Sequence, residues 1–454
     1  MGALSSLFAF ATLAGATLAT ASSASTVACD GLAISAPTNG RYMYRTKSGD
    51  PFLWMADTNW ELFHRLNKTD AELYLADRAA KGFTVAQAVL LSKYYVKKVP
   101  SFYGDLAIDN SDSIQRNEGY FSYVDWVVDQ AGNYRILIAI VPRYPGISKI
   151  MGGDTNAFKI CNLPEARSEW HNNTSLDPVS LLDPIEDTRY LWAAMLKGFR
   201  EAEAEAGYEA FVTFQPTSPY ISDPPTPKAY AHNLNRSRTK YINGTFGALS
   251  MDAVQSGHES PDPQSLEAGF TPLTPSDSTK DYEMILEMRA QFPGPVMDVE
   301  NHYEGAHDAF NTSKPVWNAS EVRHGLWNAV FRGACGFTYG SLPVQQAHEP
   351  RDRLARPDNV FYPAQLGLSE NASWHEGLHL PGARQAAYMW RLFARLERDE
   401  FDGMSPARQF IRGEEVLGFE ANRYVAGLVS AEHYWVYAGY GDAFDLDLDA
   451  LDER

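Results

Sequence analysis

The chain has 454 residues, 44% hydrophobic and 21% charged, which leaves room for one large α/β core and a small second domain. A formal net charge of −18, from 57 acidic and 39 basic residues without long runs, argues against a nucleic-acid or anionic-membrane partner. Three cysteines, Cys29, Cys161 and Cys335, form no metal spacing and exclude a disulfide framework; at most one bridge is available, and Cys335 reads as a small buried residue.

The first 28 residues carry no charged side chain. Leu4 to Leu18 is an apolar run that ends in Ala19-Thr20-Ala21, so residues 1–21 read as a secretory signal peptide, too short for a membrane span. Its n-region has no Lys or Arg and relies on the α-amine. Met1-Gly2 with Ser6 also fits N-myristoylation, but the apolar run behind it suits export better. Eight Asn-x-Ser/Thr sequons, at Asn67, Asn172, Asn173, Asn235, Asn243, Asn311, Asn318 and Asn371, agree with a glycosylated extracellular protein.

Gly40 to Pro51 reads as a hairpin around Ser48-Gly49-Asp50. Phe52 to Ala56 is a continuous apolar run, as buried parallel strands are, and stops in Asp57-Thr58-Asn59-Trp60. Thr69 and Glu72 make a capping box for a helix with Leu73, Ala76 and Ala80 on one face and Gly82 as its stop. A second strand runs from Phe83 to Leu91, completing a βαβ unit. Phe121, Val124, Val128 and Ala131 line the next helix, and Ile136 to Val141 is the third strand.

There the rhythm breaks. The apolar run Ile147 to Met151, leading into Gly152-Gly153-Asp154, follows the third strand after only Pro142 to Gly146. A parallel crossover with its helix needs about 10–12 residues, so a helix is missing. Residues 155–184 are polar and irregular, a surface insertion. A helix from Thr188 presents Leu191, Met195 and Phe199. Strands follow at Ala210 to Gln215, Ala248 to Val254, Pro295 to Val299 and Ala334 to Gly340, with helices around 281–292 and 320–330. Strands near 52, 83, 136, 147, 210, 248, 295 and 334 make eight, the number that closes a (β/α)8 TIM barrel.

An amphipathic helix, Pro381 to Phe393, ends the barrel, giving a catalytic domain over 30–398. Beyond residue 400 the pattern changes to short strands at 409–411, 416–420, 424–429 and 434–438. Residues 400–454 thus read as a partial all-β sandwich, short of the usual seven strands or so.

In a parallel barrel the reacting residues sit at the C-terminal ends of strands. Those ends carry Asp57, Asn59 and Trp60; Gln87; Asp154; Gln215; Gln255 and His258; Glu300, His302, Tyr303 and Glu304; and Tyr339. Aromatic faces stack on sugar C–H surfaces, while amides and acids fork across hydroxyls, so the set suits an oligo- or polysaccharide. No glycine loop with Lys or Arg offers a phosphate site, no His or carboxylate spacing implies a metal, and no Gly-x-Ser-x-Gly elbow appears. No cofactor is expected, and a monomer is.

Glycoside hydrolysis needs two carboxyl groups across the scissile bond. Asp154 and Glu300 lie after the fourth and seventh strands, on opposite walls of one mouth, and are assigned as acid/base and nucleophile. The competing readings are a structural ion pair for Glu300 and a turn residue for Asp154. Asp57 and Glu304 fit ligand contacts and salt-bridge partners equally well, and His258 a substrate-facing or a structural histidine.

Asp57 to Leu66, Asp77 to Phe83, Tyr123 to Asp129, Gly152-Gly153-Asp154, Gln255 to His258, Asp298-Val-Glu300 with Tyr303 and Glu304, and Gly333 to Gly340 together resemble the apiosidase-like glycoside hydrolases over about residues 40–395. The resemblance implies a (β/α)8 barrel, the same two catalytic residues, and a C-terminal β-sandwich associated with collagen binding. This sequence departs from the family in the short connection before Gly152, in Gln215 where a histidine is usual, and in Phe337 and Ser341 where histidines are usual. The expected activity is a secreted glycosidase that removes terminal sugars from pectin-like cell-wall polysaccharide by retention. The rival expectation, raised by the lost crossover, is an inactive carbohydrate- or matrix-binding protein.

Overall fold

The computed structural model describes residues 34–36, 40–91, 100–107, 117–143, 197–198, 200–201, 204–205, 211–213, 249–256, 281–308, 312–350, 372–412, 424–439, 441 and 443–452. β1 (Ile34–Ser35), β2 (Met43–Arg45) and β3 (Pro51–Phe52) form a small antiparallel sheet. The turn between β2 and β3 closes through the Arg45 amide on the Asp50 carbonyl at 2.9 Å, with Gly49 at φ +72°. That left-handed position is one glycine takes without a Cβ clash.

β4 (Trp54–Thr58), β5 (Val85–Leu91), β6 (Leu137–Arg143) and β9 (Gly336–Tyr339) form a parallel sheet in the order β6-β5-β4-β9. β7 (Asp252–Val254) and β8 (Val296–Asp298) form a parallel pair. The two sheets touch where the Cys335 amide, just before β9, donates to Val296 of β8 at 2.9 Å. On the far side of β7, the Ser250 amide donates to Val212 at 2.7 Å and the Thr213 hydroxyl to Met251 at 2.9 Å. The described segments therefore run third, second, first, eighth, seventh, sixth, fifth, the neighbour order of a barrel. They make an arc and do not close; the expected fourth strand, 147–151, lies outside the described residues.

The helix after β4 spans Lys68–Ala80, capped by Asn67, whose side chain accepts from the Asp70 amide, and not by the expected Thr69 and Glu72. Its buried face is Ala71, Tyr74, Leu75 and Arg78, while the expected Leu73 is 45% exposed. The stripe was mis-phased because a buried arginine occupies an apolar position. Glu118–Asn133 buries Phe121, Val124 and Ala131 as expected, together with Tyr120, Tyr123 and Val127. Asp281–Gln291, Ala319–Phe331 and Pro381–Phe393 follow their expected ranges closely. Of the helix expected from Thr188, Leu191, Met195 and Phe199 lie outside the described residues.

The C-terminal stretch holds β10 (Ser405–Pro406), β11 (Ile411–Arg412), β12 (Val425–Val429), β13 (Tyr434–Ala438) and β14 (Asp445–Leu446). They pair as a three-stranded antiparallel sheet, β10-β12-β13, and a two-stranded one, β11-β14. The strand expected at 416–420 lies outside the described residues. The three-stranded sheet packs on the barrel helices. Tyr424 stacks on Tyr282 at 4.2 Å with the Arg332 guanidinium over its ring at 4.7 Å, Tyr437 stacks on Trp327, and Trp435 meets Phe393 edge-on. Tyr424, Ala426 and Leu428 belong to the same apolar cluster as Tyr42, Met43 and Met284. One core thus runs through the expected boundary at residue 400.

His64, in the short helix Leu62–Arg65, is buried beside Tyr120 of the Glu118–Asn133 helix. The Tyr120 hydroxyl donates to the Leu90 carbonyl at 2.5 Å, so its oxygen accepts from His64 Nε2–H at 2.8 Å. Burial pushes the His64 pKa down to about 3.

Tyr424→Ala should cost about 3 kcal/mol, read from urea unfolding of the full chain; an effect below the error of the midpoint would mean the C-terminal sheet is not part of the core. For His64 the unfolded chain takes up a proton near pH 6.5 that the native fold refuses until about pH 3. Stability should therefore fall on acidification through that window, by about 2 kcal/mol at pH 5. His64→Gln, which keeps a donor, should flatten that slope in unfolding curves taken at pH 7 and pH 5.

Candidate active site

The ends of β4, β5 and β9 sort their side chains by parity. Ala56 pairs with Thr338 and Thr58 with Gln87, while Asp57 pairs with Tyr339 and Ala86. Trp54 Nε1 donates to Thr338 Oγ1 at 3.3 Å. Alternation thus puts Trp54, Thr58, Gln87 and Thr338 on one face and Asp57 and Tyr339 on the other.

The second face meets the helices. Asp57 Oδ2 accepts from Arg78 Nε at 2.6 Å, and both side chains are fully buried. The guanidinium carbon lies 5.7, 5.5 and 5.9 Å from the ring centres of Tyr74, Phe83 and Tyr339. Burial pushes the Asp57 carboxyl up and Arg78 pulls it back; at this distance, beside a group that stays protonated, the carboxylate form holds. The Tyr339 hydroxyl donates to Glu304 Oε2 at 2.7 Å, and the Gly382 amide donates to both Glu304 oxygens at 3.0 Å. Gly382 opens the Pro381–Phe393 helix, where an anion is favoured. Burial raises the Glu304 pKa, against the hydrogen bonds from Tyr339 and Gly382.

Asp57 and Glu304, for which ligand contact and structural pairing were equally open, are thus both paired between sheet and helices, and Tyr339, expected to face substrate, donates to Glu304 there. Gly340 allows the crossing: Tyr303 packs so closely that a Cβ there would lie 1.9 Å from its ring.

The inner face carries the remaining candidates. Glu300 is 3% exposed, and its Oε1 accepts from the Tyr303 hydroxyl at 2.5 Å. Burial and the Glu300 charge raise the Tyr303 pKa, while neighbouring Trp60 and Thr58 act the other way, so the phenol remains a donor. Trp60 is buried against Val89 and Val141. Glu300, Tyr303, Trp60, Thr58 and Gln87 accordingly gather at one end of the sheet. Asn59, whose amide donates to the Gln87 carbonyl at 2.9 Å, and Gln255 are both buried beside these ends. His302 stacks on Trp317 at 4.6 Å. Asp154, Gln215 and His258 lie outside the described residues.

A supporting network went unread in the sequence. Asp298 Oδ1 accepts from the Ser256 and Glu300 amides, both at 3.2 Å, and Oδ2 from Ser256 Oγ at 2.6 Å and Asn301 Nδ2 at 3.1 Å. Asn301 Nδ2 also donates to Ser256 Oγ at 2.7 Å. Burial raises the Asp298 pKa and the four hydrogen bonds oppose it. The acid two residues before Glu300 was the one available signal.

Phe337 is buried in the main apolar cluster and Ser341 is fully buried, so neither family histidine position offers an imidazole here. Among the described residues no group of three or more His, Cys, Asp or Glu side chains is arranged to hold a metal ion. Cys335 is free and buried, its thiol pushed up to about 12 by burial.

Arg78→Met would leave Asp57 buried without its cation and should cost about 3–5 kcal/mol in denaturant unfolding. Asp57→Asn/Arg78→Met together should recover part of that loss; a double variant as unstable as the sum of the singles would contradict the coupling.

The model of the family described as "Apiosidase-like, catalytic domain" matches residues 37–399. A solved glycoside hydrolase is similar with a TM-score of 0.66 at 20% identity, over 89% of this chain and 83% of that one. A family 5 glycoside hydrolase from Bacteroides vulgatus is similar with a TM-score of 0.68 at 20% identity, over 92% and 82% of the two chains. At that identity the likeness bears on the fold, and the described arc is consistent with the (β/α)8 barrel of such enzymes. No curated protein matches the sequence significantly. With the family model covering most of the chain, this protein belongs to the apiosidase-like glycoside hydrolases.

Proposed function

We propose that the protein is a secreted glycosidase that removes terminal sugars from pectin-like cell-wall polysaccharide, with Glu300 as nucleophile and Asp154 as acid/base. The observation that carries the reading is the buried Glu300 carboxylate bound by the Tyr303 phenol at 2.5 Å, at the same sheet end as Trp60 and Gln87. In this reading Glu300 attacks the anomeric carbon while the Asp154 carboxyl gives its proton to the departing oxygen. Water, deprotonated by Asp154, then releases the glycosyl group with retained configuration. Tyr303 orients the nucleophile, and the buried Trp60 ring backs the site as an apolar wall. The apolar leader and the sequons support export.

A second reading, an inactive carbohydrate- or matrix-binding protein, is favoured by the short stretch between Val141 and Ile147, which leaves no room for a crossover helix before Asp154.

Screening the secreted protein against 4-nitrophenyl glycosides and pectic oligosaccharides should reveal turnover. Glu300→Gln and Asp154→Asn should each lower kcat by about a thousandfold or more on the best substrate. NMR of the first-formed product should show the starting anomer. Equal residual activity in all three proteins would sink the enzyme reading, and an inverted product would remove the nucleophile role from Glu300.

A further inference from the structure

We propose that Asp298 is a positioning residue: an ionised carboxylate that clamps the ends of β7 and β8 and the Ala319–Phe331 helix into one unit and so fixes the backbone from which Glu300 projects. This inference rests on the reading of Glu300 as nucleophile. Asp298 is 0% exposed, and its four hydrogen bonds all come from donors, the Ser256 amide and hydroxyl, the Glu300 amide and the Asn301 side chain. A carboxylate accepts at both oxygens, whereas a carboxylic acid or a carboxamide would present a donor to one of them. Two of the bonds reach across to the end of β7, next to Gln255. One returns to the Glu300 amide where β8 stops. The fourth holds Asn301, whose Oδ1 packs so closely on Gly325 that a Cβ there would lie 2.7 Å away. The side chain thus joins two strands and a helix within three residues of the reacting carboxylate.

Strand ends need such a clamp because ladder bonds stop with the strand. The β7–β8 register runs from Asp252 and Val296 to Val254 and Asp298, with one further bond from the Val299 amide to the Val254 carbonyl at 2.8 Å. Beyond it, Ser256 and Glu300 are held in part by this side chain, and a displacement near 1 Å of a reacting group costs about a hundredfold in rate.

The experiment exchanges donor and acceptor. Asp298→Asn sets its amide against the Asn301 amide and should lower kcat about 10–100-fold on the 4-nitrophenyl glycoside best hydrolysed by the wild type, with KM changed less than about threefold. Asn301→Asp alone, which brings two carboxylates together, should be worse. Asp298→Asn/Asn301→Asp restores an acceptor facing both Ser256 Oγ and the new amide, and should recover most of the loss. Ser256→Ala, a milder change, should lower kcat several-fold at constant KM. Amide hydrogen exchange gives a readout free of substrate: Asp298→Asn should accelerate exchange at 254–256 and 299–303 and leave 85–91 unchanged. Unchanged kcat and exchange in Asp298→Asn, or a double variant no better than the singles, would overturn the inference. Should those results appear while Glu300→Gln is inactive, the nucleophile stands and only the clamp fails. Full activity in Glu300→Gln would remove the nucleophile itself.

Discussion

A guanidinium with no exposed surface sets the arrangement of the acids. Arg78 reaches from the Lys68–Ala80 helix into the gap behind β4 and β9, where its charge is met by Asp57 and Asp77 and its faces by aromatic rings. A buried cation must be answered by anions within contact distance. Asp57 is accordingly drawn behind the sheet, and Glu304 is held near it by the Tyr339 hydroxyl and the Gly382 amide. Glu300 remains on the inner face with a phenol as its hydrogen-bond partner. The side of the sheet that Asp57 takes follows from where one arginine sits in its helix.

Much of the fold was legible because it rests on local patterns. Continuous apolar runs marked β4, β5, β6, β8 and β9 to within a few residues, and periodicity located the helices before and after them. Where reading failed, a non-local contact had overridden the pattern. Leu73 fits the apolar period yet is exposed, because Arg78 belongs to the buried stripe, and no periodicity announces that an arginine will be buried by two aspartates and three rings. Likewise β12 and β13 were found as strands, but their membership of the barrel core depends on Tyr424 meeting Tyr282 and Arg332, which are far away in sequence.

The site was legible in outline and blurred in detail for a related reason. That Glu300, Trp60 and Gln87 lie together at one end of the sheet could be read from the rule that places function at the C-terminal ends of parallel strands. That rule does not distinguish the two faces of a strand. A one-residue step changes the face, which is why Asp57 points at a helix while Thr58, its neighbour, points toward Tyr303. The Asp298, Ser256 and Asn301 network was invisible because it joins strands 42 residues apart and shows itself only when they are laid side by side.

The core shared between the barrel and the C-terminal sheet bears on how the chain is made. During synthesis the helices Asp281–Gln291 and Ala319–Phe331 emerge well before Tyr424, Ala426 and Leu428, so the apolar surface destined for those residues stays uncovered while about a hundred more residues are translated and threaded out. A nascent chain in that state is a client for chaperones and a seed for aggregation. Premature termination near residue 400 would release a polypeptide that has most of its catalytic sequence and no finished interior.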